Sequence, residues 1–320
     1  MPTPLWTNPL DYPTFLPVIT VVAAVFLGSG MALLLLFRGN LYRFQQTNLG
    51  QRYLGWLMLA PLFLAGIYTG RVGGLAVLLG FMLIALNEAA RLVNLPAVWK
   101  HTLFLLAAAS VLASSELPAL FFILPVFYFV ILTSLAIHLN DPARGYRALT
   151  ASLFASLWII YSGAHFVLLS RLDNAVGGNR ILLAALLLAV AFADIGAYLV
   201  GKATAPLALA KRLLIAPRLS PRKTYLGALG HIAGAALGLL LLGPYLRDAL
   251  PPAHWITAAS LIGLQGMWGG FLNSLFKRAA GVKDSGKIIP GHGGVLDRID
   301  SLLRAVVFFY YYLIFTVRPL

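Results

Sequence analysis

Residues 274–300 read SLFKRAAGVKDSGKIIPGHGGVLDRID. They gather Lys277, Arg278, Lys283, Asp284, Lys287, His292, Asp297, Arg298 and Asp300 between two apolar runs. Cations at several spacings suit a polyanion such as a phosphate chain. Carboxylates among such cations suit Mg²⁺, which takes one or two carboxylates together with substrate phosphates. Gly293 and Gly294 allow backbone N–H groups to come close to phosphate oxygens, and His292 can bond one of them. A second polar stretch ends in Ser220, Pro221, Arg222, Lys223 and Thr224, directly before an apolar helix. Thr224 is placed to cap that helix, and a helix N-terminus flanked by cations suits phosphate. Upstream, Asp194 lies within an apolar helix, where an ionisable group is costly and a functional role is the default. Tyr198 falls four residues later, on the same helical face.

The elements that must position these groups are membrane helices. The chain is 60% hydrophobic and 11% charged, against about 25% charged in soluble domains, and its mean hydropathy is +0.86. This composition predicts an all-α fold, a polytopic integral membrane helical bundle. With about 20 apolar residues needed per crossing, spans are expected near 16–37, 53–69, 73–90, 102–115, 118–138, 149–169, 181–200, 227–246, 255–275 and 303–317. The fourth and last are short, which gives nine or ten transmembrane helices. The N-terminus lacks the basic region and cleavage site of a signal peptide. There is no cysteine, so neither a disulfide nor a thiolate metal site is available.

The net charge of +14 does not point to nucleic acid, because the cations lie in loops between apolar spans. With the N-terminus outside, the inside loops hold 19 Lys and Arg and the outside loops hold 5. That bias places both polar stretches on the cytoplasmic side. Residues 1–150 form a first group of spans with little chemistry. There Asn87, Glu88 and Arg91 read as a solvated helix end. Residues 151–320 form a second group that carries all the stretches described above.

Those stretches resemble the CDP-diacylglycerol synthases (phosphatidate cytidylyltransferases). Ser274, Lys277, Arg278, Lys283, Asp284, Pro290, Gly291, His292, Gly293, Gly294, Asp297, Arg298 and Asp300 match that family's longest signature position by position. Asp194, Ala197, Tyr198 and Gly201 match its D-x-x-A-Y-x-x-G element. Ser220, Pro221, Lys223, Thr224 and Gly227 match S-P-K-K-T-x-E-G, with Arg222 in place of a lysine. The resemblance covers about residues 181–305. It implies transfer of CMP from CTP to phosphatidic acid with Mg²⁺, at a bacterial cytoplasmic membrane and with the site loops cytoplasmic. Assembly as a homodimer is compatible with it. It implies catalytic roles for Lys223, Lys283, Asp284, His292, Asp297 and Arg298. Substrate contacts are implied for Ser220, Arg222, Thr224, Lys277, Arg278, Gly293 and Gly294, and metal contacts for Asp297, Asp194 and Asp300.

Two positions depart from the family. Leu226 stands where S-P-K-K-T-x-E-G has its acid, and Gly270 stands where a G-D pair precedes the S-x-x-K-R serine. Both changes remove a carboxylate. The alternative reading is therefore a weakened or inactive homologue that binds lipid, nucleotide or a partner protein. A transporter is disfavoured, because its polar groups would be shared between two equivalent halves.

Overall fold

The structure is a computed structural model that describes residues 5–36, 40–175, 180–207, 212–286 and 293–317. It is an all-α membrane bundle, with no strand among the described residues. The helices are α1 (Phe15–Leu36), α2 (Leu41–Gln46), α3 (Asn48–Tyr68), α4 (Gly70–Leu92), α5 (Ala97–Glu116), α6 (Leu124–Leu139) and α7 (Pro142–Ala155). They continue as α8 (Ser162–Ala175), α9 (Ile181–Thr204), α10 (Tyr225–Leu241), α11 (Gly243–Leu246), α12 (Trp255–Ala279) and α13 (Leu296–Tyr312). A π-helical segment, Ser156–Tyr161, joins α7 to α8 into one rod.

Among the described residues, 7 helices are long and apolar enough to cross a membrane. Tyr53–Tyr68 and Tyr225–Leu241 are shorter apolar helices. The 25-residue α12 is long enough to cross but carries more polar and small residues. Each of the ten expected spans thus coincides with a helix, and seven of these satisfy both length and hydropathy.

Close backbone packing brings the chemistry-bearing helices together. Gly230, Gly234 and Gly238 recur every fourth residue on α10, so they share one face. A Cβ at Gly230 would lie 2.6 Å from the Gly196 carbonyl oxygen of α9, and one at Gly238 would lie 2.7 Å from Ala189 Cα. On α12, a Cβ at Gly263 would lie 2.8 Å from the His231 carbonyl oxygen, and one at Gly269 would lie 3.1 Å from Ser301 Cα. In a bilayer such small-residue seams let helices associate through backbone contact. Here they draw α9, α10, α12 and α13 into one tight group. Its buried apolar side chains include Ala189, Ala193, Ala235, Ala258, Ile262 and Val306.

The N-terminal half is attached to this group through α4. A second buried cluster runs from Met82, Leu86 and Ala89 of α4, across Trp99 and Leu103 of α5, to Leu296, Ile299 and Leu303 of α13. Thus α4, remote in sequence, lies against the helix that carries Asp297 and Asp300.

Candidate active site

The segment before α10 fixes Lys223. An isolated antiparallel bridge pairs Leu214 with Thr224. Hydrogen bonds from Ile215 N to Lys223 O (3.1 Å) and from Tyr225 N to Leu213 O (3.0 Å) extend it. Between these ends the chain turns twice, and Lys223 N donates to the Ser220 carbonyl at 3.3 Å. Thr224 caps α10 as expected, its hydroxyl accepting from Gly227 N at 3.0 Å. Lys223 enters the cleft from that cap. Its ammonium lies over the Phe271 ring, 4.5 Å from the centroid.

A cleft of about 230 Å³ opens at this point. It is lined by Asp194, Tyr198 and Gly201 of α9, by Arg222, Lys223 and Thr224, by His231 of α10, by Gly266 and Met267 of α12, and by Ser301 of α13. Asp194 is 48% exposed, and its Oδ1 lies 3.9 Å from His231 Nδ1, too far for a hydrogen bond. Burial pushes the Lys223 ammonium below the ordinary lysine value. Asp300 and Asp194 pull it back up, and Lys277 adds to the depression. A lysine in this state is poorly solvated and gains strongly from an arriving anion.

Behind the cleft the long signature folds on itself. Asn273 of α12 is buried, and its amide donates to both Asp297 Oδ1 (2.9 Å) and Asp300 Oδ2 (2.8 Å). Lys277, one turn further along α12, reaches the same Asp297 oxygen at 2.5 Å. The other oxygen, Asp297 Oδ2, accepts from Ser285 N (2.9 Å), Ser285 Oγ (3.0 Å) and Gly294 N (3.1 Å). Asp300 Oδ1 accepts from the backbone N–H of Ser301 at 2.6 Å. Asp297 therefore clamps the loop between α12 and α13 onto both helices. Gly293 has φ +79°, and a Cβ there would stand 2.6 Å from Asp297 Oδ2. Only glycine meets both conditions without strain.

The largest departure from expectation is Glu88. Far from being a solvated helix end, it is 1% exposed. Its carboxylate accepts from Val295 N and Leu296 N (both 2.9 Å) and lies 3.0 Å from Ser285 Oγ, whose single proton it shares with Asp297. A carboxylate at the start of α13 satisfies N–H groups that have no partner within the helix and complements its dipole. The sequence carried one signal, an acid within a 23-residue apolar helix. Its partner lies about 200 residues away and leaves no periodic trace. Asn273 and Ser285 were also missed, although Asn273 sits at i−4 from Lys277 and so shares its face.

The remaining expected residues lie apart from the cleft. Lys283 and Asp284 are exposed on the loop after α12 and do not line it. Arg278 is exposed and donates to the Val282 carbonyl at 3.1 Å. Arg298 is half-buried on α13, close enough for its charge to act on Asp300. His292, with Lys287, Pro290 and Gly291, lies outside the described residues. Among the described residues, no group of three or more His, Asp or Glu is placed to hold a metal ion. The carboxylates of Asp297 and Asp300 both accept hydrogen bonds from protein donors. Asp194 is the acid that lines the cleft with its carboxylate partly exposed.

Gly270 faces the Lys223 ammonium. A Cβ built there would lie 2.7 Å from Lys223 Nζ. That atom is the movable end of a flexible side chain, so an acid at 270 would meet this ammonium.

A profile of the cytidylyltransferase family matches residues 50–316. The chain belongs to that family. It is 35% identical over 190 residues to the uncharacterized protein YnbB of Escherichia coli, covering 59% of this chain and 61% of that one. It is 40% identical over 129 residues to a phosphatidate cytidylyltransferase of Haemophilus influenzae, covering 39% and 43% respectively. With the phosphatidate cytidylyltransferase of a Synechocystis species the identity is 41% over 125 residues, covering 38% and 39%. The chain thus spans less than two thirds of the length of each of these relatives. The family match takes in α4, so the helix that carries Glu88 belongs to the matched region.

Proposed function

We propose that this chain is a phosphatidate cytidylyltransferase, transferring CMP from CTP to phosphatidic acid. The observation that carries the reading is the convergence of Asp194, Tyr198, Arg222, Lys223 and Thr224 on one cleft at the N-terminus of a membrane helix. A phosphate oxygen of phosphatidic acid attacks the α-phosphorus of CTP. The bond from that phosphorus to the bridging oxygen breaks, and pyrophosphate leaves with the electron pair. The nucleophile is already an anion, so charge neutralisation and in-line positioning are the main requirements. Lys223 and Arg222 neutralise phosphate, and the α10 N-terminus adds its dipole. Asn273, Lys277, Asp297 and Glu88 hold the loop that carries Lys283, Asp284, His292, Gly293 and Gly294. In this reading those residues, with Arg278 and Arg298, meet the nucleotide when it binds, and Ser220 sets the turn before Lys223.

Mg²⁺ fits this donor set at Asp194, because Mg²⁺ needs only one or two carboxylates when phosphates and waters complete its shell. It does not fit at Asp297 or Asp300 as they are packed. When bound, the ion would neutralise charge on the triphosphate. Residues 151–320 carry the reacting groups in this proposal, and residues 1–150 contribute Glu88. The cation bias supports a site at the cytoplasmic face of a bacterial inner membrane. Cysteines placed in the 212–223 and 280–286 loops should then label from that side alone.

The test is CTP-dependent formation of CDP-diacylglycerol by the purified protein in detergent with Mg²⁺. Replacing Leu226 and Gly270 by Glu and Asp respectively separates two readings. Turnover in the wild type supports the enzyme. Turnover only in the restored variant identifies a homologue that has lost activity, the reading favoured by the two missing carboxylates. No turnover in either refutes the assignment.

A further inference from the structure

A cavity of about 550 Å³ lies away from the cleft, and its volume is that of a small-molecule site. It is bounded by the C-terminal half of α3, the start of α4, the end of α8, the start of α9 and the middle of α13. Helix α9 relates the two sites: Arg180, immediately before it, lines the cavity, and Asp194 lines the cleft. Fourteen residues of α-helix separate them by about 21 Å. The cavity therefore lies toward the opposite end of the bundle.

Its walls are apolar and include Phe63, Leu75, Leu78, Phe81, Leu183 and Leu303. Its lining also carries cations. Arg71, Arg171 and Arg180 all line it, together with Ser115, Ser170 and Glu116. These arginines are three of the five Lys and Arg that the chain places on that side of its spans. Glu116 pairs with Arg71, whose Nε also donates to Ser115 Oγ at 2.9 Å. Arg171 donates to the Ser115 carbonyl. Arg180 is only 3% exposed and donates to Ser170 through one terminal nitrogen. Its Nε is buried and finds no acceptor among the described residues. Among the described side chains that line the hollow, one carboxylate faces three guanidiniums, and Arg180, which also lies over the Tyr12 ring at 5.6 Å, keeps a buried Nε donor without an acceptor. That is a costly arrangement unless an anion completes it.

We infer that this cavity is a second lipid site, which holds an anionic phospholipid with its headgroup phosphate on Arg171 and Arg180 and an acyl chain between α3, α4 and α9. Guanidinium groups match phosphate oxygens in a fixed fork geometry. The apolar walls select a lipid over free phosphate, which would leave them without a partner. The site is separate from the candidate catalytic cleft and needs no nucleotide. Helix α13 is shared: Leu302 and Leu303 face the cavity, and Ser301 faces the cleft.

The test is native mass spectrometry of the full chain in detergent, titrated with dioleoyl phosphatidylglycerol, dioleoyl phosphatidylcholine or inorganic phosphate. Phosphatidylglycerol should form a one-to-one adduct about tenfold or more tighter than phosphatidylcholine. Millimolar phosphate should not displace it. The double variant Arg171→Gln, Arg180→Gln should weaken the adduct by about tenfold for each charged hydrogen bond removed. Leu78→Trp, which fills the hollow and leaves every charge in place, should weaken it as well and keeps the test valid if the double variant fails to fold. Lys223→Ala should leave it intact. Equal binding of the two lipids, displacement by phosphate, retention of the adduct in Leu78→Trp, or loss in Lys223→Ala in place of the cavity variants would each overturn the assignment.

Discussion

Replacing Glu88 by Ala tests whether the N-terminal half builds the site. The carboxylate accepts from Val295 N, Leu296 N and Ser285 Oγ. Ser285 Oγ also has Asp297 Oδ2 within reach, at 3.0 Å, so two backbone donors lose their partner outright. A hydrogen bond to a charged group contributes about 1.5–3 kcal/mol, which gives roughly 3–6 kcal/mol for the pair. Relief of the buried charge of Glu88 itself offsets part of this, leaving a net cost of about 2–5 kcal/mol. Spread over a chain of this size, that corresponds to a fall of about 5–10 °C in unfolding temperature. Glu88→Gln keeps one acceptor oxygen, turns an NH₂ toward the other donor, and should cost about half as much. The assay is thermal unfolding of the purified protein in detergent, with CTP turnover on the same samples. Turnover should fall further than stability alone explains, because the loop clamped by Asp297 shares Ser285 with Glu88. A Glu88→Ala protein that unfolds at the wild-type temperature and turns over normally would refute the argument.

Three further outcomes follow from the same geometry. Lys223 must be protonated to hold phosphate, and burial lowers its value from the ordinary 10.5. The rate should therefore fall as pH rises through a point below 10.5, and Lys223→Arg should remove that alkaline limb because arginine keeps its charge. A limb unchanged in Lys223→Arg would assign it to another group. Gly270→Asp should place a carboxylate against the Lys223 ammonium, favour the protonated form and move the limb to higher pH. Movement to lower pH, or none, would mean that the two do not meet. Gly230→Val should cost at least about 3 kcal/mol, because its side chain would enter the backbone of Gly196 and force α10 away from α9. Unaltered unfolding and turnover in that variant would show that the seam does not set the cleft.

The sequence by itself determined the class of fold, because few charges in so apolar a chain leave only membrane helices. It also marked the segments whose residues line the cleft. Asp194 with Tyr198, and Arg222 with Lys223 and Thr224, are local patterns within a helix or at its cap, and the cleft contains all of them. The tertiary structure alone decided which charges line the cleft and which bond to other parts of the chain. Asp297 and Lys277 read as ligand and cation, and only the fold shows that they pair with each other beside the loop. Glu88 read as a solvated end, yet it caps a helix about 200 residues away. Spacing along one helix reports which side chains share a face. It does not report what that face meets, and for a buried carboxylate the identity of the opposing donor decides its role.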